Sequence, residues 1–330
     1  MRTTAVLCAS ALYAAAIALV DGSSATAAAD PRPVPTTCAA GGRLVRDGAS
    51  LRRALRTAEP GDAIRMADGV YRGEFTITRS GTRGQPISLC GSRDAVLDGG
   101  GKALYVLHLN GADWWRLVGF TVRDGKKGVM ADRADHDLLA GLRVSGTDEE
   151  AIHFRAFSSD NRIVGNTVRD TGRRQPRFGE GIYVGSARNN WCRYTECRPD
   201  WSHRNVVVGN DIARTTAESI DVKEGTAGGV IAGNLLSGAG MTHADSWIQV
   251  KGNRWLVERN TGRRSPEDGI QTYVHEGWGR RNEFRENRLM VNGAGYGIYI
   301  DEERSENVVR CDNVVAGARR GLSNIRCRRG

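Results

Sequence analysis

The sequence is poor in proline and in aromatic residues, and it lacks the motifs of several common enzyme classes. Its 330 residues include only 8 prolines, and aromatic residues make up 6%. It contains no HExxH zinc motif, no P-loop and no GxSxG motif, so metalloprotease, nucleotide-hydrolase and serine-hydrolase readings have no support. Strands do not alternate with long helices, which excludes a dinucleotide-binding fold. High glycine (42 residues) with few aromatics favours many short strands and tight turns.

Lysine is also scarce, although the chain is basic. Only five of the 47 basic residues are lysine, and two of these, Lys223 and Lys251, occupy equivalent places in neighbouring repeats. The formal charge of +9 predicts an anionic partner. The chain has no recognisable nucleic-acid-binding motif, so we expect no nucleic acid partner. An acidic polysaccharide is the partner we expect, bound by a monomer.

The N-terminus has the pattern of a secretion signal. Arg2 precedes an apolar run over residues 5–20, and small residues follow up to residue 29. No second long apolar stretch follows, so we expect no membrane partner. We therefore predict a signal peptide over 1–29 and a secreted, extracellular mature chain that forms a single domain over 30–330.

The cysteine content agrees with export. Removal of the signal takes Cys8 away and leaves six cysteines, an even number that predicts disulfides in an exported protein. Proximity in sequence favours two pairs and leaves a third, so the predicted bonds are Cys192–Cys197, Cys311–Cys327 and Cys38–Cys90.

An internal repeat of about 25 residues dominates the sequence. A small or amide residue recurs after a short apolar run, at Gly119, Gly141, Asn166, Asn210, Asn234, Asn260, Asn287 and Asn313. A short strand recurs ahead of it, with isoleucines at Ile152, Ile182, Ile220, Ile248, Ile270 and Ile298. Such a repeat cannot bury its own apolar face, whereas stacked coils can. The pattern predicts an all-β, right-handed parallel β-helix with an internal isoleucine column and an asparagine ladder.

The terminal coils of such a solenoid need caps that shield their apolar ends. Residues Ser50–Thr57 indicate a short helix with Ser50 as its N-cap, and this helix is expected to cover the first coil. Gly61–Tyr71 predicts two strands around an Asp-Gly turn.

One coil is much longer than the others. The step from Asn166 to Asn210 is 44 residues, and we place the insertion at about 173–204. It holds three aromatic residues and one cysteine pair, which argues against disorder. Two interpretations remain open: a packing flap and a loop that contacts substrate.

Alignment of six repeated strands stacks their outward side chains. Adjacent rungs lie about 4.8 Å apart, so Glu180, Glu218 and Asp221 are expected to converge beside Lys223. Carboxylates this close repel one another unless a cation or a proton intervenes. Oxygen ligands suit calcium, so we predict a Ca²⁺ site on these three acids.

The same face carries candidates for proton transfer and substrate binding. Neighbouring lysines repel, which lowers a lysine pKa and frees an amine. We assign Lys223 as the base and Tyr183 or Lys251 as the proton donor. The predicted substrate-binding residues are His153, Arg155, Gln249, Gln271, Tyr273, His275 and Tyr299. The alternative is that this face is only the solvated exterior of a β-helix.

Several stretches resemble a known family. Gly61–Tyr71, Ser80–Leu89, Leu117–Val122 and Glu218–Lys223 are similar to segments of the chondroitinase B and alginate lyase family of β-helix polysaccharide lyases. The resemblance implies a lyase in which Glu218 helps to hold Ca²⁺ and Lys223 is the base.

Two positions depart from this family's pattern. Thr216 stands where the family tends to have a second acidic ligand. Lys251 is the nearest basic group to the place of the family's catalytic arginine.

Our leading hypothesis is a secreted lyase that cleaves a uronate-containing polysaccharide by β-elimination. Two alternatives use the same residues. One is a non-catalytic β-helix that binds anionic glycans. The other is a glycoside hydrolase that uses two of Glu180, Glu218 and Asp221 as its acid and base.

Overall fold

Three parallel sheets wind around one apolar interior. The computed structural model describes residues 41–329, so the predicted signal peptide over 1–29 and Cys38 lie outside the described residues. Each strand pairs in parallel with the equivalent strand one coil away. The predicted parallel β-helix is confirmed.

The strands are short and recur in sheet order. The first sheet contains β1 Arg43–Val45, β2 Ala63–Met66, β5 Ile87–Cys90, β8 Trp115–Val118, β11 Leu138–Ala140, β14 Arg162–Val164, β17 Val206–Val208, β20 Val230–Ala232, β23 Leu256–Glu258, β26 Glu283–Arg285 and β29 Val308–Val309. The second contains β3 Gly69–Arg72, β6 Ala95–Asp98, β9 Thr121–Arg123, β12 Arg143–Ser145, β15 Thr167–Arg169, β18 Asp211–Ala213, β21 Leu235–Ser237, β24 Thr261–Arg263, β27 Arg288–Gly293 and β30 Val314–Ala318. The third contains β4 Phe75–Ile77, β7 Tyr105–Asn110, β10 Lys127–Asp132, β13 Ile152–Arg155, β16 Ile182–Val184, β19 Ile220–Val222, β22 Ile248–Val250, β25 Ile270–Thr272 and β28 Ile298–Ile300.

Helices are few and short in the described residues. The two α-helices are α1 Gly48–Arg56 and α2 Trp191–Tyr194, and the 3₁₀ turns are Pro176–Phe178, Arg188–Asn190 and Glu303–Ser305. None of these helices is long and apolar enough to cross a membrane.

The isoleucines of the third sheet form one internal column, as predicted. From β13 to β28 they pair directly from coil to coil, and all six are 0% exposed. Burial of each such side chain stabilises the fold by about 1.5–3 kcal/mol. Because strand side chains alternate, this inward column forces the residue between each pair of apolar neighbours outward.

The asparagines form the predicted ladder from Asn166 to Asn313. Asn234 is typical: its Oδ1 accepts from the backbone N–H and the side-chain amide of Asn210, at 2.9 and 3.0 Å. Its own amide donates to Val207 O and Asn260 Oδ1, at 3.0 and 2.9 Å. From Asn166 onward the ladder thus satisfies buried backbone groups at one corner of each coil and fixes the register between coils.

The capping helix begins earlier than expected. α1 starts at Gly48, and its N-cap is Asp47, whose side chain accepts from the Ser50 backbone N–H at 2.7 Å. The Ser50 hydroxyl accepts in return from the Asp47 N–H at 3.2 Å, which completes a capping box. The prediction of Ser50 as the N-cap is therefore wrong, because Ser50 occupies the third helical position. Leu51 and Leu55 are buried against the first coil, as a cap requires.

The predicted Asp-Gly turn joins two strands, as expected, and it is a corner of a coil rather than a hairpin. Strands β2 and β3 are both present, but they belong to different sheets, so the turn at Gly69 (φ 143°) is a corner of the coil.

The insertion is divided into two parts by a strand. β16 lies inside the predicted range 173–204, so the extra residues form one loop before it and a longer loop after it. The second loop contains α2 and the Cys192–Cys197 disulfide. Cys311–Cys327 is also bonded, as predicted. Cys90 is disulfide-bonded, and its expected partner Cys38 lies outside the described residues.

Asn234→Ala is expected to lower the free energy of unfolding by about 2–4 kcal/mol, since each buried group left without a partner costs about 1–3 kcal/mol. The change removes the acceptor for both donors of Asn210. Denaturant unfolding measures it. Asn189→Ala, in an exposed position of the insertion, is the control, and equal losses in the two variants would contradict a structural ladder.

Candidate active site

The candidate site lies on the outward face of the third sheet, where β16, β19 and β22 run side by side. Tyr183 of β16, Asp221 of β19 and Gln249 of β22 lie directly opposite one another. Lys223 and Lys251 follow their strands immediately, and each backbone N–H donates to the preceding coil, at 2.9 and 2.8 Å. The ladder register therefore brings residues from three coils together, as the sequence predicts.

Three carboxylates converge at this face. Oxygens of Glu180, Glu218 and Asp221 lie within 4.8 Å of one another, and the three residues are only 6%, 9% and 1% exposed. Burial, with repulsion from Glu150 and Asp221, raises the pKa of Glu180 well above its usual value. Burial and repulsion from Asp221 raise the pKa of Glu218 to about 7. The cluster therefore takes up a proton or a cation more readily than exposed carboxylates do.

Two lysines lie against the same cluster. The Nζ atom of Lys223 lies 2.5 Å from Asp221 Oδ2, and that of Lys251 lies 4.0 Å from Asp221 Oδ1. Burial opposes the charge on Lys223, but attraction to Asp221 outweighs it and holds the pKa of Lys223 well above its usual value. Burial and the neighbouring Lys223 lower the pKa of Lys251, although Asp221 opposes them. The lowered lysine pKa expected from the sequence thus belongs to Lys251.

Tyr183 completes the centre of the site. Its ring centroid lies 5.1 Å from the Lys223 Nζ atom, and the His153 ring meets it edge-on at 4.2 Å. Burial raises the pKa of Tyr183 well above its usual value. The positive charge of Lys223 opposes this shift, and the negative charge of Asp221 adds to it. The phenol therefore keeps its proton at neutral pH, and the Lys223 amine lies over its ring.

A polar network extends the site toward the N-terminus. Nε2 of His153 lies 2.9 Å from Gly185 O, and Nδ1 faces Glu150 Oε1 at 3.4 Å. Arg155 Nε donates to Asp132 Oδ1 at 2.7 Å, and Lys127 pairs with Glu150. The structure therefore brings His153 and Arg155 to this face, where both are buried.

Sequence reasoning missed Lys127 and Asp132. Both belong to β10, which lacks the isoleucine that marked the other strands, so the alignment started one coil too late. The signal was present, since Lys127 is one of only five lysines in the chain.

The C-terminal side carries the remaining predicted residues. Gln271 stands in register with Gln249 and Tyr299. Its amide donates to Asp268 at 2.8 Å, and its oxygen accepts from the Tyr273 hydroxyl at 3.2 Å. His275 is not on the sheet: it lies on the exposed loop after β25 and lines a surface hollow with Arg188 and Glu224.

The carboxylate cluster fits a calcium ion by its donor set. Calcium–oxygen distances of about 2.3–2.6 Å allow two ligands of one ion to lie as far apart as these oxygens do. Glu180 Oε2 and Asp221 Oδ1 are buried without a hydrogen-bond partner, so both have free lone pairs. Thr216 adds no carboxylate to the set, and its hydroxyl donates to Pro176 O at 2.8 Å.

Glu218→Gln is expected to remove a pH-dependent loss of stability, measured in the presence of a chelator. The folded site raises the pKa of Glu218 from 4.5 to about 7. Between these values the unfolded chain releases a proton that the folded chain retains, so stability falls as pH rises, by about 3 kcal/mol in all. The free energy of unfolding, followed from pH 4 to 8, should fall more steeply in the wild type.

Glu196→Gln is the control, because this glutamate lies on the insertion with 83% of its side chain exposed. Parallel pH profiles for wild type and Glu218→Gln would show that Glu218 has an ordinary pKa.

Comparison with known proteins adds to this geometry. No family model matches the chain, and no curated protein matches it. Among solved structures, an alginate lyase from Paenibacillus sp. str. FPU-7 is 32% identical, with a TM-score of 0.76 over 87% of this chain and 97% of that one. A polygalacturonase from Erwinia carotovora (12% identity, TM-score 0.62, 92% of this chain and 100% of that one) and a pectate lyase (14%, 0.53, 79% and 72%) share the fold alone. By its likeness to the Paenibacillus enzyme, the chain belongs to the alginate lyase family of β-helix polysaccharide lyases.

Proposed function

We propose that this protein cleaves alginate, or a closely related polymer of uronate units, by β-elimination. The observation that carries the proposal is the convergence of Lys223, Tyr183 and a buried carboxylate cluster on one face. The 32% identity with an alginate lyase supports the substrate class. We also propose that the enzyme is secreted, which agrees with its disulfides.

β-Elimination makes three demands on such a site. A base removes the proton on C5 of the uronate, the C4–O bond breaks, and a double bond forms between C4 and C5. The departing oxygen takes up a proton. The uronate carboxylate must be neutralised by positive charge or by hydrogen bonds, because this makes the C5 proton acidic.

We assign proton abstraction to Lys223. It is the lysine beside Tyr183, so the base and the proton donor lie next to each other, as removal from C5 and delivery to the neighbouring O4 require. Lys251 lowers the proton affinity of the pair, since two ammonium groups so close to each other repel. Because Asp221 raises the pKa of Lys223, the Lys223 amine acts as the base in the fraction of molecules from which this proton has left.

We assign proton donation to Tyr183. Its phenol stays protonated at neutral pH because its pKa is raised, and an acid must hold its proton until the bond breaks. Lys251, the more exposed of the two lysines, faces the uronate carboxylate and stabilises its charge as the C5 proton leaves.

Glu180, Glu218 and Asp221 are the residues that would hold calcium in this enzyme. A bound ion would supply positive charge for the uronate carboxylate. The two buried oxygens without hydrogen-bond partners support this assignment.

Lys223→Ala and Tyr183→Phe are expected to reduce kcat on alginate at least 10²-fold, since each removes one partner of the proton transfers, worth about 10²–10⁴-fold apiece. The measurement is the ultraviolet absorbance of the unsaturated product. Lys102→Ala, an exposed lysine of the first coils, should keep wild-type activity. New reducing ends without the absorbing product would indicate a hydrolase, and full activity of Lys223→Ala would refute the assigned base.

Glu180→Gln is expected to weaken calcium binding at least tenfold in calorimetric titration of the chelator-treated protein. The variant removes one of three anionic ligands, and calcium affinity follows the charge of its ligands. Asp94→Asn, in an exposed turn, is the control and should bind as the wild type does. Absence of heat in the wild type would show that a proton, rather than calcium, neutralises the cluster.

A further inference from the structure

A cavity of about 280 Å³ adjoins the active site on its N-terminal side. Its lining includes Glu150, His153 and Arg155, and Tyr183 belongs both to this lining and to the candidate active site. Pockets for drug-sized ligands measure roughly 300–1,000 Å³, so this smaller volume suits one sugar unit better than a longer segment of chain. A polymer bound across Lys223 therefore has room for one sugar unit in this cavity.

The insertion closes the far side of this cavity. The Tyr194 ring from α2 lies on the Arg155 guanidinium at 3.8 Å, too close for a sugar to pass between them. Arg155 also donates to the Tyr105 hydroxyl at 3.1 Å. Tyr105, Arg155 and Tyr194 thus make a continuous wall from an early coil to the insertion, and the Cys192–Cys197 disulfide constrains α2.

The charges in the cavity leave one cation without a partner. Lys126 and Lys127 pair with Glu149, at 3.2 and 2.9 Å, and Lys127 also pairs with Glu150. Arg155 pairs with Asp132.

Arg193 is different from these basic groups. Among residues 41–329 it has no carboxylate partner, and its guanidinium lies 5.1 Å from the Tyr194 ring centroid. A guanidinium of this kind binds a carboxylate in a bidentate manner. The cavity therefore offers a ligand one uncompensated positive charge.

Two exposed apolar residues stand at the edge of the cavity. Leu104 and Phe178 line it and are 46% and 49% exposed. They come from different coils, since Leu104 precedes β7 and Phe178 lies on the loop before β16. The C–H faces of a sugar ring pack well on such side chains, so the cavity combines an apolar mouth with a cationic wall.

We propose that this cavity is a subsite for the terminal uronate unit of the substrate, and that Arg193 binds the carboxylate of that unit. The insertion then ends the groove one unit beyond the cleavage point. The enzyme consequently works from a chain end and releases short products. This inference rests on the proposed function for its consequences in catalysis, but the binding of a uronate in the cavity is measured without catalysis.

The test is calorimetric binding of a saturated uronate trisaccharide to full-length protein that carries Lys223→Ala, which prevents turnover. Adding Arg193→Gln is expected to weaken binding about tenfold, and the carboxyl-reduced trisaccharide should bind both proteins equally weakly. Arg198→Gln is the matched control: this arginine lies on the same loop, outside the cavity, and pairs with Glu196. Equal binding by the Arg193 variant and its parent, or an equal loss with Arg198→Gln, would overturn the subsite.

The second measurement compares viscosity with absorbance during alginate digestion by the protein with an intact Lys223. Attack from chain ends raises absorbance with little early loss of viscosity. Tyr194→Ala opens the wall and should produce a faster loss of viscosity for the same absorbance. A rapid early fall with the wild type would refute the closed groove, whereas no absorbance at all would refute the proposed function and leave the binding result to stand.

Discussion

The register between neighbouring coils is the constraint on which the structure depends. No strand of the third sheet from β13 onward is longer than four residues. Such short strands make too few hydrogen bonds to fix their own register. The buried amides of the asparagine ladder hold it instead, because each one must meet both a donor and an acceptor on adjacent coils. A slip of one residue would leave these groups unpaired and turn the isoleucine column outward. Residues far apart in sequence, such as Glu180 and Lys251, are thereby placed in one site.

The same register also concentrates buried charged groups in the site. Three buried carboxylates and two lysines meet there, which leaves one net negative charge when all are ionised. The surrounding fold has to hold these groups together against desolvation and repulsion. The result is a set of pKa values displaced in opposite directions, with Glu218 raised to about 7 and Lys251 lowered. Such displacement is typical of groups that transfer protons or bind ions.

The sequence predicts those features that the repeat itself encodes. The isoleucine column, the asparagine ladder and the stacking of Glu180, Glu218 and Asp221 all follow from one alignment. Features that depend on competition between neighbouring residues are harder to predict from the sequence. Asp47 and Ser50 are both good caps, and only the reciprocal bonds of the capping box decide between them. The direction in which each lysine pKa shifts depends on which ammonium lies 2.5 Å from Asp221. The spacing of the lysines in the sequence does not reveal this difference. Strand β10 was missed because it fills its inward positions with Val129 and Ala131.

The insertion shows how a regular solenoid acquires a specific site. Stacked coils give a groove that is open along its length, and nothing in the repeat limits how far a polymer extends through it. The long coil between Asn166 and Asn210 breaks the repeat beside Tyr183 and Lys223. Its helix α2 is constrained by a disulfide and contacts Arg155 of the preceding coil through Tyr194. Because β16 within this coil keeps the register, Tyr183 stays beside Lys223 while the loops on either side of the strand vary in length. In the proposed function, the coils therefore fix the chemistry, and the loops of one coil determine the length of substrate that reaches it.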